Sequence, residues 1–83
     1  MRLTEIRRGT TVTVTAVGGH HHIHERLSEM GFVPGREVTL LYKAPTGTPL
    51  VFSVMGTEVA LRRDEAANVL TDTPLQSEAH ILS

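Results

Sequence analysis

The chain has no cysteine and no tryptophan, and its 83 residues include one tyrosine and two phenylalanines. Without thiols it can form no disulfide scaffold, no Cys-ligated zinc ribbon, no iron–sulfur site and no thiol nucleophile. Three aromatics are too few for the aromatic-lined groove with which small β-barrels grip proline-rich peptides. Excess charge is missing too: eight basic against nine acidic residues give −1 with histidine neutral. A nucleic-acid-binding surface needs clustered positive excess, so that class is set aside. No apolar run approaches the roughly 18 residues of a membrane-spanning helix. The opening Met1-Arg2-Leu3-Thr4-Glu5 carries an acid and no continuous apolar stretch, so it does not read as a signal peptide. What remains is one small domain, expected in the cytoplasm, burying roughly 60% of its unfolded surface in a single core. The residue in excess is histidine, with four of five at positions 20, 21, 22 and 24.

The periodicity along the chain changes several times. Leu3 and Ile6 bracket a polar opening in which Thr4 is expected to cap one helical turn and Gly9 to end it. Val12 and Val14 then alternate with Thr11, Thr13 and Thr15, the period-two pattern of a half-buried strand. After Gly18-Gly19 the period becomes helical: Ile23, Leu27 and Met30 stand at i, i+4 and i+7, which predicts a helix over residues 21–30. Gly31 takes the left-handed position that closes a helix, and Phe32 can fold back on its last turn. Val33-Pro34-Gly35 is a turn, because Pro fixes φ at the first central position and Gly supplies positive φ at the second.

Beyond the turn, Val38, Leu40 and Tyr42 share one face of a second strand, with Tyr42 and both phenylalanines expected in the core. Ala44-Pro45-Thr46-Gly47-Thr48-Pro49 is a loop by composition. Leu50, Phe52 and Val54 give a third strand, and Gly56 a tight reversal. A fourth strand over 57–62 faces inward through Val59 and Leu61. One helical turn over 63–67 and a short closing strand near 68–71 follow. Leu27, Met30, Phe32, Val38, Leu40 and Val59 are assigned to the core. Residues 72–83 keep no period and are expected to form a flexible tail or linker, leaving 1–71 as the domain. Short strands at near-regular spacing predict a mainly β fold, a small closed or half-closed barrel with a helix inserted after the first strand.

Histidine is the obvious candidate for chemistry. On a helix, His20 and His24 lie one turn apart, as do His21 and Glu25, and an i, i+4 imidazole pair can chelate zinc, nickel, copper or ferrous iron. The set supplies only part of a coordination sphere, the remainder coming from water, His80 or a second copy. The same residues also suit a plain solvated helix start, so both readings stand. Ser28 and His24 share the i, i+4 spacing, but no strained turn or oxyanion hole accompanies them, and no enzyme is expected. Seven of the eight basic residues are arginine, the residue best suited to fixed pairing with a partner's carboxylates. Arg62-Arg63 and Arg7-Arg8 are the candidate patches.

Taken together, four stretches resemble one known family. Arg26-Leu27-Ser28-Glu29-Met30-Gly31-Phe32-Val33-Pro34-Gly35-Arg36-Glu37-Val38 is similar to the RL…MG…PG…V core of the FeoA family. Ala44 to Leu50 and Val59 to Ala66 continue the likeness, and the opening Leu3-Thr4-Glu5-Ile6 with Gly9 fits it. The resemblance covers roughly residues 2–71 and implies an SH3-like small β-barrel. It also implies a non-enzymatic accessory of bacterial ferrous-iron transport that binds the cytosolic, GTP-binding region of the FeoB membrane transporter, either as a separate chain or as the FeoA part of a fusion. In that setting Arg26, Arg62, Arg63 and Pro45 are the candidate partner-binding residues, with a second copy of the chain as a further candidate partner. The protein would work in the cytoplasm, at the inner face of the membrane through its partner and without inserting into it. No cofactor is required. A zinc or ferrous ion at His20, His21, His24 and Glu25 is an alternative that rests on this sequence alone, because the family pattern places no metal there.

Overall fold

Alternating threonine and valine from Thr11 to Val17 form the first strand, β1, with Val12 and Val14 buried and Thr11 and Thr15 exposed. The computed structural model describes residues 1–73. Helix α1 (His21–Glu29) follows β1. Next come β2 (Glu37–Lys43), β3 (Leu50–Val54) and β4 (Thr57–Leu61), then a one-turn helix α2 (Arg63–Ala66) and β5 (Val69–Thr71). The strands make one antiparallel sheet in the order β4-β3-β2-β1-β5. This is the expected mainly β architecture, with its helix directly after the first strand.

β1 serves both halves of the sheet. Its start pairs with β2, Val12 opposite Val38, and its end pairs with β5, Val17 opposite Val69, with a register shift between Val14 and Ala16. An irregularity of this kind bends and twists a strand, which lets one strand turn a corner of a small barrel. The chain start joins the same edge: the Met1 ammonium donates to the Thr71 carbonyl at 3.0 Å, and the Thr71 N–H donates to the Met1 carbonyl at 2.6 Å. Asp72 is tied to β1, its N–H donating to the Thr13 carbonyl and its Oδ1 accepting the Thr13 N–H. The expected tail beyond Thr73 lies outside the described residues.

α1 ends as its glycine predicts. The Phe32 N–H reaches the Leu27 carbonyl and the Gly31 N–H the Ser28 carbonyl, both at 3.0 Å, with Gly31 at φ +102°. These are the two bonds of a Schellman closure, which satisfies carbonyls the helix cannot. It also turns Phe32 into the core, where its ring meets Phe52 edge-on at 5.8 Å. Leu27 is fully buried, while Ile23 and Met30 pack against the core from its rim. The Val33–Gly35 turn forms as expected, closed by the Arg36 N–H on the Val33 carbonyl.

Two local expectations are corrected. Tyr42 is not in the core: it is 47% exposed, because the β2–β3 register slips between Leu40 and Tyr42. Leu40 faces Phe52 but Tyr42 faces Val51, so the period-two alternation breaks and the ring is sent outward. At the N-terminus the turn is a 3-10 turn over Leu3–Glu5, capped from Arg2 and not Thr4, and it ends at Ile6 well before Gly9. The Glu5 carboxylate reaches back to accept the Arg2 N–H at 2.6 Å, and burial of Ile6 draws the chain into extended conformation.

Candidate functional site

The same backward reach of a glutamate organises the start of α2. Arg62 leaves β4 in extended conformation, and α2 begins at the next residue. Glu65, three residues on, accepts the Arg62 N–H through Oε1 at 2.9 Å and binds the Arg26 guanidinium of α1 through Oε2 at 3.0 Å. Only 7% of Glu65 is exposed. A buried carboxylate is costly unless its charge and lone pairs are met, and here a main-chain donor and a cation meet them. One carboxylate thereby fixes α2 against α1.

With α2 held, Arg62, Arg63 and Asp64 form one wall of an open cleft of about 670 Å³, and Thr46, Gly47, Thr48 and Pro49 form the other. The loop wall is braced from within: the Ala44 N–H donates to the Pro49 carbonyl, the Gly47 N–H to the Ala44 carbonyl, and the Thr46 hydroxyl to the Thr48 carbonyl. Arg63 spans the walls with a 3.4 Å contact from Nη2 to the Gly47 carbonyl. The Asp64 carboxylate turns to its own backbone, accepting the Glu65 N–H at 3.0 Å. Only two ion pairs involve the described residues, His21–Glu25 and Arg26–Glu65. Arg62 and Arg63 thus line the cleft, and among the described residues no carboxylate forms an ion pair with either of them.

Of the four partner-binding candidates, Arg62 and Arg63 are brought together in the cleft. Arg26 sits on α1, engaged with Glu65 though its side chain is 63% exposed. Pro45 is exposed on the loop but does not line the cleft, whereas Pro49 does. Sequence reasoning missed Glu65 as a site residue. The signal that points to it is the repeated spacing Arg2-x-x-Glu5 and Arg62-x-x-Glu65, the N3 half of a capping box.

Four of the five histidines occupy the exposed start of α1, and His80 lies outside the described residues. His20 is the capping residue, with no side-chain cap bond, and the His24 N–H donates to its carbonyl at 3.0 Å. His21 Nε2 lies 2.8 Å from Glu25 Oε1, and the His21 and His22 rings meet edge-on at 6.1 Å. Among the described residues no three His, Asp or Glu side chains converge on a common point that would hold a metal ion. The cluster thus offers donor pairs and no completed sphere. Ser28 shares α1 with His24 and is absent from the cleft lining.

The FeoA domain family profile matches residues 1–72. Over 69 residues the chain is 36% identical to an Fe(2+) transport protein A/Fe(2+) transporter FeoB fusion protein of Porphyromonas gingivalis, covering 83% of this chain and 8% of that one. The crystal structure of Stenotrophomonas maltophilia FeoA complexed with zinc, described as a procaryotic SH3 domain protein, superposes with a TM-score of 0.77 at 41% identity. It covers 87% of this chain and 89% of the other. Iron(II) transport protein A of Clostridium thermocellum gives a TM-score of 0.83 at 30% identity, over 88% of this chain and 45% of the other. The chain thus spans less than half the length of the Porphyromonas and Clostridium relatives. The SH3-like class expected of the sequence is the class of the observed fold.

Proposed function

This chain belongs to the FeoA domain family, and on that premise we propose that it is a non-catalytic accessory module of ferrous-iron transport that binds the cytosolic region of a FeoB-type transporter. The observation that carries the reading is the Porphyromonas relative, in which a matching domain shares one polypeptide with FeoB. Fusion keeps two modules at an effective concentration on the order of millimolar, so the contact between them need not be tight. No helix among the described residues is long and apolar enough to cross a membrane, which suits a module that meets its transporter on the water side. The charge pattern suits it as well: a docking module needs a local arginine pair and no net basicity.

Calorimetric titration of the chain into the isolated GTP-binding region of FeoB, with and without a GTP analogue, tests the proposal. A Kd on the order of 10–100 μM in at least one nucleotide state is expected for a small transient interface. Absence of heat and of NMR shift changes at about 500 μM in both states overturns it.

A second reading is favoured by one observation, the crowding of His20, His21, His22 and His24 at the exposed start of α1, in a chain similar to a protein crystallised with zinc. Paired imidazoles would capture a divalent transition metal, with water completing the sphere. Zinc affinity that is lost in the His20→Ala, His24→Ala double variant supports it, and unchanged affinity rejects it.

A further inference from the structure

We propose that the cleft between the 44–49 loop and α2 is a docking site for an acidic peptide segment, recognised through the guanidiniums of Arg62 and Arg63. The partner's identity rests on the FeoB reading above. The site and the chemistry of its ligand rest on this structure.

Charge is the first argument. Arg62 and Arg63 are exposed neighbours on one wall, and neither forms an ion pair among the described residues, in contrast to Arg26. Asp64 lies on the same wall, but its carboxylate is turned to the Glu65 N–H, so the lining keeps a net positive charge. A guanidinium presents parallel N–H donors that match a carboxylate bidentately, and the pairing is stronger and more directional than that of an ammonium. With one net positive charge in the cleft and −1 overall, the protein lacks the extended positive field that a nucleic-acid backbone demands. A short run of glutamate or aspartate side chains is the better match.

Preorganisation is the second argument. The loop wall carries its own hydrogen bonds, and the helix wall is fastened through Glu65 to both Arg62 and Arg26. Little order has to be imposed on docking, which is where weak interfaces lose affinity. Gly47 stands at φ +91° on the loop wall, and Arg63 Nη2 lies 3.5 Å from where its Cβ would be, so the missing side chain lets the guanidinium rest against the loop. The Arg63 contact to Gly47 is long enough, at 3.4 Å, to yield to an incoming carboxylate.

Hexaglutamate, hexaglutamine and inorganic phosphate are suitable probes in a titration followed by amide NMR shifts. Hexaglutamate is expected to move the amides of Gly47, Thr48, Arg63 and Asp64 saturably, less so as salt rises, while hexaglutamine does not. In an Arg62→Glu, Arg63→Glu variant the response should fall about tenfold or more, with an unchanged fold by circular dichroism. An Arg62→Gln, Arg63→Gln variant should give a smaller loss and serves if the charge reversal misfolds. No response to hexaglutamate up to about 10 mM, a response elsewhere on the surface, or an equal response to phosphate overturns the proposal. Titration of FeoB's GTP-binding region separates the two readings. If both variants bind it as the parent does, the cleft assignment fails and the transport reading stands. If the parent ignores that region yet takes hexaglutamate, the cleft stands and the transport reading fails.

Discussion

Arg26 on α1 and Glu65 on α2 are joined by a 3.0 Å ion pair that is exposed on the arginine side and buried on the glutamate side. The two partners are therefore unequal. Removing the arginine leaves a carboxylate that still holds the Arg62 N–H, whereas removing the glutamate strands both donors.

Unequal costs should follow on substitution. Arg26→Ala is expected to destabilise by about 1 kcal/mol, because the buried Glu65 carboxylate loses its cation but keeps the Arg62 N–H. Glu65→Ala should cost about 1–3 kcal/mol, because a main-chain donor loses its acceptor at the same time. Urea denaturation of the two single variants and the double variant gives their coupling directly. Equal costs for the two single changes would show that Glu65 does no more than pair with Arg26.

Gly31 and Gly35 offer a matched comparison, at φ +102° and +91°. A Cβ on Gly31 would lie 2.8 Å from Cγ1 of Val54, while one on Gly35 meets nothing within 4 Å. Gly35→Ala should therefore cost about 1–2 kcal/mol from the left-handed backbone alone. Gly31→Ala should add about 1–3 kcal/mol of overpacking to that. Chemical denaturation midpoints for the pair check the difference, and equal midpoints would place Val54 farther from the helix end than described.

Leu27 is the residue of α1 buried deepest in the core. Leu27→Ala is expected to lower stability by about 2–5 kcal/mol through lost burial and an unfilled cavity. A loss under about 1 kcal/mol would mean that α1 packs on the sheet through another face.

Tyr42 tests the register slip in β2. With its ring half in water, Tyr42→Ser should change stability by less than about 0.5 kcal/mol. Leu40→Ala, two residues earlier on the same strand and fully buried, should cost about 2–5 kcal/mol. Large effects at both positions would mean that the strand runs without the slip.

The elements that local pattern determines were legible before the structure. The valines of β1, the Ile23–Leu27–Met30 stripe and Gly31 at the helix end each draw on interactions within a few residues, where side-chain period and φ preference act. Tyr42 was misplaced for the opposite reason. Its direction depends on which residue of β3 lies across from it, and the slip beside Leu40 leaves no mark in the period of β2. The cleft was half legible: adjacent arginines 62 and 63 stand out in the sequence. That the 46–49 loop lies against them, and that Glu65 holds their helix, follow from contacts between segments distant along the chain.

Met1 and Thr71 exchange two main-chain hydrogen bonds along the same sheet edge. The chain start and the last strand thus share a doorway, and a polypeptide running into Met1 would pass close to Thr71. A unit with this geometry can be spliced onto another protein without splitting the distance between its neighbours. Portability of that kind needs no redesign of the barrel, only a joint long enough to clear its edge.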